Sequence, residues 1–240
     1  MSALRLAGRS REYELMDSEA TDYETFRGCL VDLERVNRAS FGYRPTLSWL
    51  DRAAAGRSAL RIVDVGCGHG DMLRRVWHWG RQRGIALDLV GVDLNPWARR
   101  AAMEATPHGM GISYETSDLF DIGPERRFDI ILSALFAHHL RDEALVRFVR
   151  WMERTAQVGW FVNDLHRHWL PEWGLRTIFG ALPVHRFVRH DGPVSVRRAF
   201  TRPDLRAVLD AAGVAPGRAR IDWYFPYRWG VGTVPGWGPV

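Results

Sequence analysis

The chain has 240 residues, of which 46% are hydrophobic and 25% charged, and this balance excludes disordered, collagenous and coiled-coil proteins. Its net charge of +5 comes from arginines spread along the chain, so no basic block predicts a nucleic-acid arm. Cys29 and Cys67 are too few for a secreted disulfide framework, and residues 1–11 lack the apolar core of a signal peptide. We therefore expect a soluble, cytoplasmic protein with no membrane partner.

The N-terminal quarter of the chain predicts two helices. Residues 1–20 are polar, and we expect them to be loose. Residues 22–38 carry apolar side chains at helical spacing, and Pro45 can open a second helix that runs to about residue 55. We interpret residues 1–57 as a helical cap segment in front of an α/β domain at residues 58–240.

Short apolar strands alternate with helices of 10–15 residues through the middle of the chain. Predicted strands cover residues 61–65, 87–92, 111–115, 128–134 and 158–162. Predicted helices cover residues 70–83, 96–105 and 141–155. This alternation predicts an α/β fold with a doubly wound, mostly parallel sheet.

The pattern loosens after residue 164. Residues 165–200 contain three prolines, and we interpret them as an insertion that lies as a cap over the carboxyl edge of the sheet. Residues 202–212 predict a helix that ends at Gly213, and residues 221–229 alternate like strand with Pro226 between two pieces. Two late strands would close a seven-stranded sheet as a hairpin. We expect the last ten residues to form a mobile tail.

A glycine-rich loop follows the first strand in the segment Ile62-Val-Asp-Val-Gly-Cys-Gly-His-Gly70. Glycine lets the backbone turn sharply and lets a ligand approach closely at the carboxyl ends of the strands. The dinucleotide fingerprint requires a small residue where Asp71 stands, and the Gly-Lys-Ser/Thr of a phosphate loop is absent. The loop therefore favours a ligand without a pyrophosphate, such as S-adenosylmethionine.

Acidic residues follow the next two strands. Asp93 lies 23 residues beyond Gly70, close to the offset at which an acid accepts hydrogen bonds from ribose hydroxyls. Asp118, after the third strand, can reach the exocyclic amine of an adenine, with Leu119 against the ring. The alternative for each acid is a turn or cap residue.

Together with the strand Phe128-Asp-Ile-Ile-Leu-Ser133, these motifs resemble those of the class I S-adenosylmethionine methyltransferases, over about residues 60–165. The resemblance implies the methionine portion of the cofactor near Asp64 and Gly66, and the adenosine near Gly68. It implies the ribose at Asp93 and the adenine at Asp118. Cys67 is then a small loop residue rather than a nucleophile. The full predicted cofactor set is Asp64, Gly66, Cys67, Gly68, Gly70, Asp93, Leu94, Ser117, Asp118, Leu119 and Ser133.

Four further segments resemble a narrower group of methyltransferases associated with type III polyketide synthase pathways. They are Leu33-Glu-Arg-Val-Asn37, Ala137-His-His-Leu140, Asn163-Asp-Leu-His-Arg-His168 and His190-Asp-Gly-Pro-Val-Ser195. The resemblance implies a small-molecule acceptor, aromatic or polyketide-derived, that is methylated on a phenolic or enolic oxygen.

Methylation of a phenol requires a proton acceptor, and histidine suits that role near neutral pH. We name His139, His166 and His190 as candidate bases, each with a structural role as its alternative. Asp164, His166 and His168 could be read as metal ligands, but histidines two apart point the same way only on extended backbone. We predict no metal ion.

Other functions stay open at this point. The aromatic residues Trp169, Trp173 and Phe187, with Phe179, line either an acceptor pocket or a core of the insertion's own. The basic charge favours RNA or protein methylation, although residues 133–136 lack the Asn/Asp-Pro-Pro-Tyr/Phe motif of base-methylating enzymes. Binding of the cofactor without catalysis is the third possibility. The sequence leaves the acceptor, the methylated atom and the oligomeric state open.

Overall fold

The computed structural model describes residue 6 and residues 8–18, 22–123, 125–181 and 185–236, without the side chains of Phe179 and Ala181. These residues form a seven-stranded sheet with the strand order β3-β2-β1-β4-β5-β7-β6. The strands are β1 Ala59–Val65, β2 Ala86–Asp93, β3 Ser113–Thr116, β4 Phe128–Ala134, β5 Ala156–Leu165, β6 Ala219–Tyr224 and β7 Arg228–Thr233.

The first five strands are parallel, and β7 runs antiparallel to both β5 and β6. The predicted mostly parallel, seven-stranded sheet with a closing hairpin is thereby confirmed. The central strands β1 and β4 are buried on both faces, as their apolar runs predict. Because the chain order reverses between these two strands, their carboxyl ends open the crevice in which such sheets bind ligands.

Nine α-helices are present within the described residues, and the three predicted inside the sheet region are among them. The helices are α1 Leu15–Ser18, α2 Tyr23–Ala39, α3 Arg44–Ala53, α4 Asp71–Arg83, α5 Pro96–Ala105, α6 Asp142–Thr155, α7 Trp169–Ala181, α8 Arg186–Arg198 and α9 Arg202–Ala212. Local sequence sets several boundaries. Thr201 and Asp204 form a capping box at the start of α9, and Gly213 ends that helix with a left-handed backbone.

The two predicted N-terminal helices are present as α2 and α3. Trp49 of α3 stacks on Phe161 of β5 with ring centroids 5.4 Å apart, and its indole N–H donates to the carbonyl of Thr233. Phe26 of α2 packs against Trp97 of α5. Both helices therefore lie on the sheet domain, and the boundary at residue 57 stays a prediction.

The insertion, whose secondary structure was left open above, forms helices α7 and α8, with Pro193 inside α8. Two expectations of loose chain ends were wrong where the residues are described. Residues 9–18 are held on the protein: the backbone N–H groups of Leu15 and Met16 donate to Asp191 of α8. The expected C-terminal tail is paired through Thr233, and residues 237–240 lie outside the described part.

Among the described residues, no helix is long and apolar enough to cross a bilayer.

Candidate active site

The loop between β1 and α4, residues 66–70 (the glycine loop), adopts the left-handed backbone for which its glycines are suited. The φ angles of Gly66, Gly68 and Gly70 are +70°, +49° and +72°. A Cβ on Gly66 would lie 2.5 Å from the ring of Phe136, and one on Gly70 would overlap the hydroxyl of Tyr114. At Gly68 the nearest side-chain atom would be 3.7 Å away, so the backbone is approachable there.

The carboxylate of Asp93 joins the end of β2 to the glycine loop. Its Oδ2 accepts from the Gly68 N–H at 3.0 Å and its Oδ1 from the Asn95 N–H at 2.9 Å. The Asp93 carbonyl accepts from the Ser117 N–H at 3.0 Å. The structure thus brings three predicted cofactor residues together, and a carboxylate at this position can accept hydrogen bonds from ribose hydroxyls.

The predicted adenine-binding residues after β3 have structural roles of their own. Asp118 Oδ1 accepts from the Phe120 N–H at 2.9 Å and caps a short 3₁₀ helix, which is the turn role named above as its alternative. Leu119 is buried in the main core, and Leu94 is 71% exposed. The roles of Asp118 and Leu119 toward adenine, and that of Leu94 in the cofactor site, stay predictions.

Buried polar atoms line the crevice beneath the loop. Asp64 Oδ1 and Ser133 Oγ are buried and have no hydrogen-bond partner among the described residues. Burial, and then Asp71 and Asp93, raise the pKa of Asp64 well above its usual range. Burial also raises the pKa of the Cys67 thiol, which disfavours a nucleophilic thiolate. Because buried polar atoms require partners, these residues fit a cofactor that offers hydrogen-bond donors.

A cavity of about 30 Å³ lies between the glycine loop and the turn from α2 to α3. It is lined by Asn37, Gly42, Tyr43, Asp64, Gly66, Cys67, Asp71, Met72, Ala134, Leu135 and Arg228. This volume holds about one or two water molecules, so a nucleoside cofactor can enter only if the surrounding segments move apart.

Helix α2 contributes directly to this region through the Leu33–Asn37 segment. Glu34 Oε2 lies 2.6 Å from both His69 Nδ1 of the glycine loop and Arg74 Nη2 of α4. The Tyr43 hydroxyl donates a hydrogen bond to Asp71 Oδ2 at 2.8 Å. The contact of Glu34 with the loop and that of Tyr43 with Asp71 were not predicted, although Glu34 lies in the quoted segment of α2.

A buried histidine that was not among the predicted bases follows β4. His138 Nδ1 lies 2.7 Å from Asp164 Oδ1, and the His138 backbone N–H donates to Asp164 Oδ2 at 3.1 Å. Burial alone would lower the pKa of His138, but Asp164 and Glu14 raise it to about 9. We call these two residues the His138–Asp164 pair. Two neighbouring strands that end at one edge, one followed by histidines and one ending in an acid, were the signal that could have found it.

Glu14 covers the outer side of this pair. Its carboxylate oxygens lie 3.6 Å from His138 Nε2 and 3.7 Å from His139 Nε2, and the carboxylate is buried. Burial would raise the pKa of Glu14, but His138 and His139 lower it to about 2. This contact could not be predicted from the sequence, because it depends on where a distant N-terminal segment lies.

The metal reading of residues 164–168 finds no support in the side-chain contacts, since Asp164 faces His138. Within the described residues, the group whose ligand atoms lie within 4.8 Å of one another is Glu14, His138 and His139. The absence of a metal ion stays a prediction.

The three predicted bases lie in different surroundings. His139 shares Glu14 with His138. His166 Nδ1 accepts from the Trp223 indole N–H at 3.2 Å, and burial followed by His168 and Arg167 lowers the pKa of His166. His190 lies on α8 with Nδ1 2.9 Å from Asp191 Oδ1. Only His139 adjoins the His138–Asp164 pair.

The aromatic residues of the insertion do not share one pocket. Trp169 and Trp173 are exposed, whereas Phe187 is buried with Cys29 and Val188 in a small cluster between α2 and α8. The alternative of a core belonging to the insertion therefore describes Phe187. The side chain of Phe179 lies outside the described part.

Comparisons with known proteins agree with this geometry. Residues 62–159, from β1 into β5, match the family described as a methyltransferase domain. The chain is 29% identical over 174 residues to nocamycin O-methyltransferase of Saccharothrix syringae, which covers 70% of this chain and 59% of that enzyme. It is 25% identical over 185 residues to a ubiquinone biosynthesis O-methyltransferase of Bordetella avium, covering 75% and 72%. The match thus spans less than two thirds of the nocamycin enzyme.

Solved structures share the fold. The plantazolicin methyltransferase BpumL, in complex with a monoazolic desmethyl analogue and SAH, superposes with a TM-score of 0.63 at 12% identity, over 89% of this chain and 96% of that one. Magnesium protoporphyrin IX methyltransferase of Synechocystis PCC 6803 with bound SAH gives 0.54 at 17% identity, over 92% and 91%. Residues 62–159 therefore form a methyltransferase domain, and the strand order and glycine loop are similar to those of the class I S-adenosylmethionine-dependent methyltransferases.

Proposed function

We propose that the enzyme methylates an oxygen of a small-molecule acceptor, aromatic or polyketide-derived, with the His138–Asp164 pair as the proton acceptor. Named O-methyltransferases among its relatives support the choice of oxygen. The observation that carries the proposal is the buried imidazole–carboxylate contact of 2.7 Å at the carboxyl edge of β4 and β5. Phe136, two residues before His138, packs on Gly66 and so joins this edge to the glycine loop.

The pair is suited to take a proton from a phenol. Asp164 accepts from Nδ1–H, which leaves Nε2 as the nitrogen that can bind a proton. A phenol with a pKa near 10 is ionised to only about one part in a thousand at pH 7, so a positioned base contributes to the rate. Asp164 and Glu14 together raise the pKa of His138 to about 9, so displacement of Glu14 by the acceptor would lower that pKa and leave Nε2 able to accept the proton.

Access to Nε2 requires a movement at the N-terminus. Glu14 lies on the Nε2 side of His138, and residues 9–18 hold it there through contacts with α8 and with the turn after β4. The acceptor oxygen would replace the Glu14 carboxylate beside Nε2. His139 would then face the same space, and His166 and His190 would have structural roles.

The test is a screen of phenols, resorcinols and pyrones with methyl-labelled cofactor, followed by mass spectrometry to locate the label. The matched controls are the same compounds with the hydroxyl already methylated. Label on the oxygen of a free hydroxyl, with none transferred to the ethers, is the expected result. Transfer only to RNA or protein, or retention of cofactor without transfer to any acceptor, would overturn the proposal.

A further inference from the structure

Arg228 lies at the carboxyl edge of the sheet, where β7 begins opposite the last residue of β5. Its side chain is buried, and Nη2 donates to Asn37 Oδ1 at 3.1 Å and to Ser40 Oγ at 3.2 Å. A Cβ at Gly42 would lie 2.9 Å from Nη2, so the turn from α2 to α3 has room for the guanidinium only because residue 42 is glycine. The turn therefore holds this side chain in a defined position.

Arg228 forms no close ion pair with a carboxylate of the described residues. Among the described residues, no carboxylate oxygen lies within 4.0 Å of its guanidinium, and its two side-chain acceptors are neutral. Burial lowers the pKa of Arg228 to about 10, although Asp164, Tyr43 and Asp71 act against this. A buried guanidinium with neutral acceptors costs free energy, which an anionic ligand would offset.

Arg228 and Asp64 line the same cavity beside Gly66. Asp64 is a buried acid whose Oδ1 has no hydrogen-bond partner among the described residues. Arg228 is a buried cation with no carboxylate oxygen of the described residues within 4.0 Å. An acidic side chain and a cation that line one cavity complement a zwitterion, whose ammonium group would favour the ionised form of Asp64. The α-amino acid end of S-adenosylmethionine is such a group, with one ammonium and one carboxylate.

We propose that Arg228 binds the carboxylate of the methionine moiety of S-adenosylmethionine. The planar guanidinium can form paired, charge-assisted hydrogen bonds with a carboxylate. The alternative anion that Arg228 could bind is an anionic oxygen of the acceptor. The inference rests on the methyltransferase assignment and is independent of the identity of the acceptor.

Calorimetry with two ligands tests this role without turnover. S-adenosylhomocysteine carries the carboxylate, and its decarboxylated analogue, 5′-deoxy-5′-(3-aminopropylthio)adenosine, keeps the ammonium and lacks the carboxylate. The variant is Arg228→Met, and Arg154→Met, which removes an exposed arginine from α6, is the matched control. Circular dichroism and thermal unfolding establish that each variant is folded.

Arg228→Met should weaken binding of S-adenosylhomocysteine by about ten- to a hundredfold and change binding of the analogue by less than about twofold. The control should bind both ligands as the wild type does. Equal losses for the two ligands would overturn the proposal, because they would indicate a structural role. Unchanged binding of S-adenosylhomocysteine together with a raised KM for the acceptor would assign the anion to the acceptor and would also overturn it.

The wild-type protein provides a second measurement if Arg228→Met does not fold. If Arg228 binds the carboxylate, the wild type should prefer S-adenosylhomocysteine over the decarboxylated analogue by about ten- to a hundredfold. Equal affinity for the two ligands would contradict the proposal. A failed acceptor screen would leave both results unaffected.

Discussion

The carboxyl edge of the sheet has two halves that are built in different ways. The ends of β1 and β2 are joined by short-range contacts, in which Asp93 accepts from Gly68 and Asn95. The ends of β4 and β5 are completed by Glu14, which lies 124 residues before His138 in the chain and touches it from outside. The Gly68–Asp93 contact spans 25 residues and the His138–Asp164 contact spans 26, so both are similarly local, whereas Glu14 reaches the histidine half from a distant segment.

The largest effect is expected on the histidine half. His138→Gln should lower kcat by about 10²- to 10⁴-fold, because the proposed proton acceptor is lost while the cofactor half stays intact. Steady-state rates with an identified acceptor measure this, with His78→Gln, an exposed histidine of α4, as the matched control. A rate within twofold of wild type would remove His138 from catalysis and would return attention to His139.

The next largest effect is expected on the glycine-loop half. Asp93→Ala should weaken binding of S-adenosylhomocysteine by about ten- to a hundredfold, because two ribose hydroxyls lose a charged acceptor worth about 1.5–3 kcal/mol. Calorimetry of the folded variant measures the dissociation constant. Since Asp93 also binds the Gly68 N–H, Asp93→Asn serves as a second variant that retains one acceptor. Unchanged affinity in both variants would exclude Asp93 from the cofactor site.

A smaller effect, on the pH dependence of the rate, is expected from removal of the Glu14 carboxylate beside His138. Because Asp164 and Glu14 raise the pKa of His138 to about 9, His138 is protonated at neutral pH and becomes a base only as the pH rises. Glu14→Gln removes one of these interactions, so the pKa of His138 should fall. The rising limb of kcat/KM against pH, which reports the free enzyme, should therefore shift to lower pH. Both proteins are assayed with the same acceptor, so ionisation of the acceptor affects the two profiles equally. An unchanged pH profile would contradict the effect of Glu14 on the pKa of His138.

The smallest effect is expected from metal removal. If the group formed by Glu14, His138 and His139 acts in proton transfer, dialysis against a chelator should leave kcat unchanged. Metal analysis of the purified protein and rates before and after dialysis measure this. Activity that is lost on chelation and restored by zinc or magnesium would show that these residues hold a catalytic metal ion instead.

Most of the fold could be predicted, because strands and helices in this chain have apolar periodicities of different lengths. The glycine loop and Asp93 could also be predicted, since spacing within about 30 residues fixes them. His139 and not His138 was predicted as a candidate base, because two adjacent histidines after a strand point in different directions. The sequence does not indicate which of the two contacts Asp164. Glu14 and Arg228 could not be predicted, because each reaches the edge of the sheet from a distant segment.

The division of the edge into two halves is tested most directly by single-turnover methyl transfer at saturating cofactor, measured for Asp93→Ala and His138→Gln in parallel. Saturation compensates for weak cofactor binding but cannot replace a missing base. This division predicts that Asp93→Ala approaches the wild-type rate while His138→Gln stays about a hundredfold or more below it. A fully active His138→Gln beside a slow Asp93→Ala would contradict it.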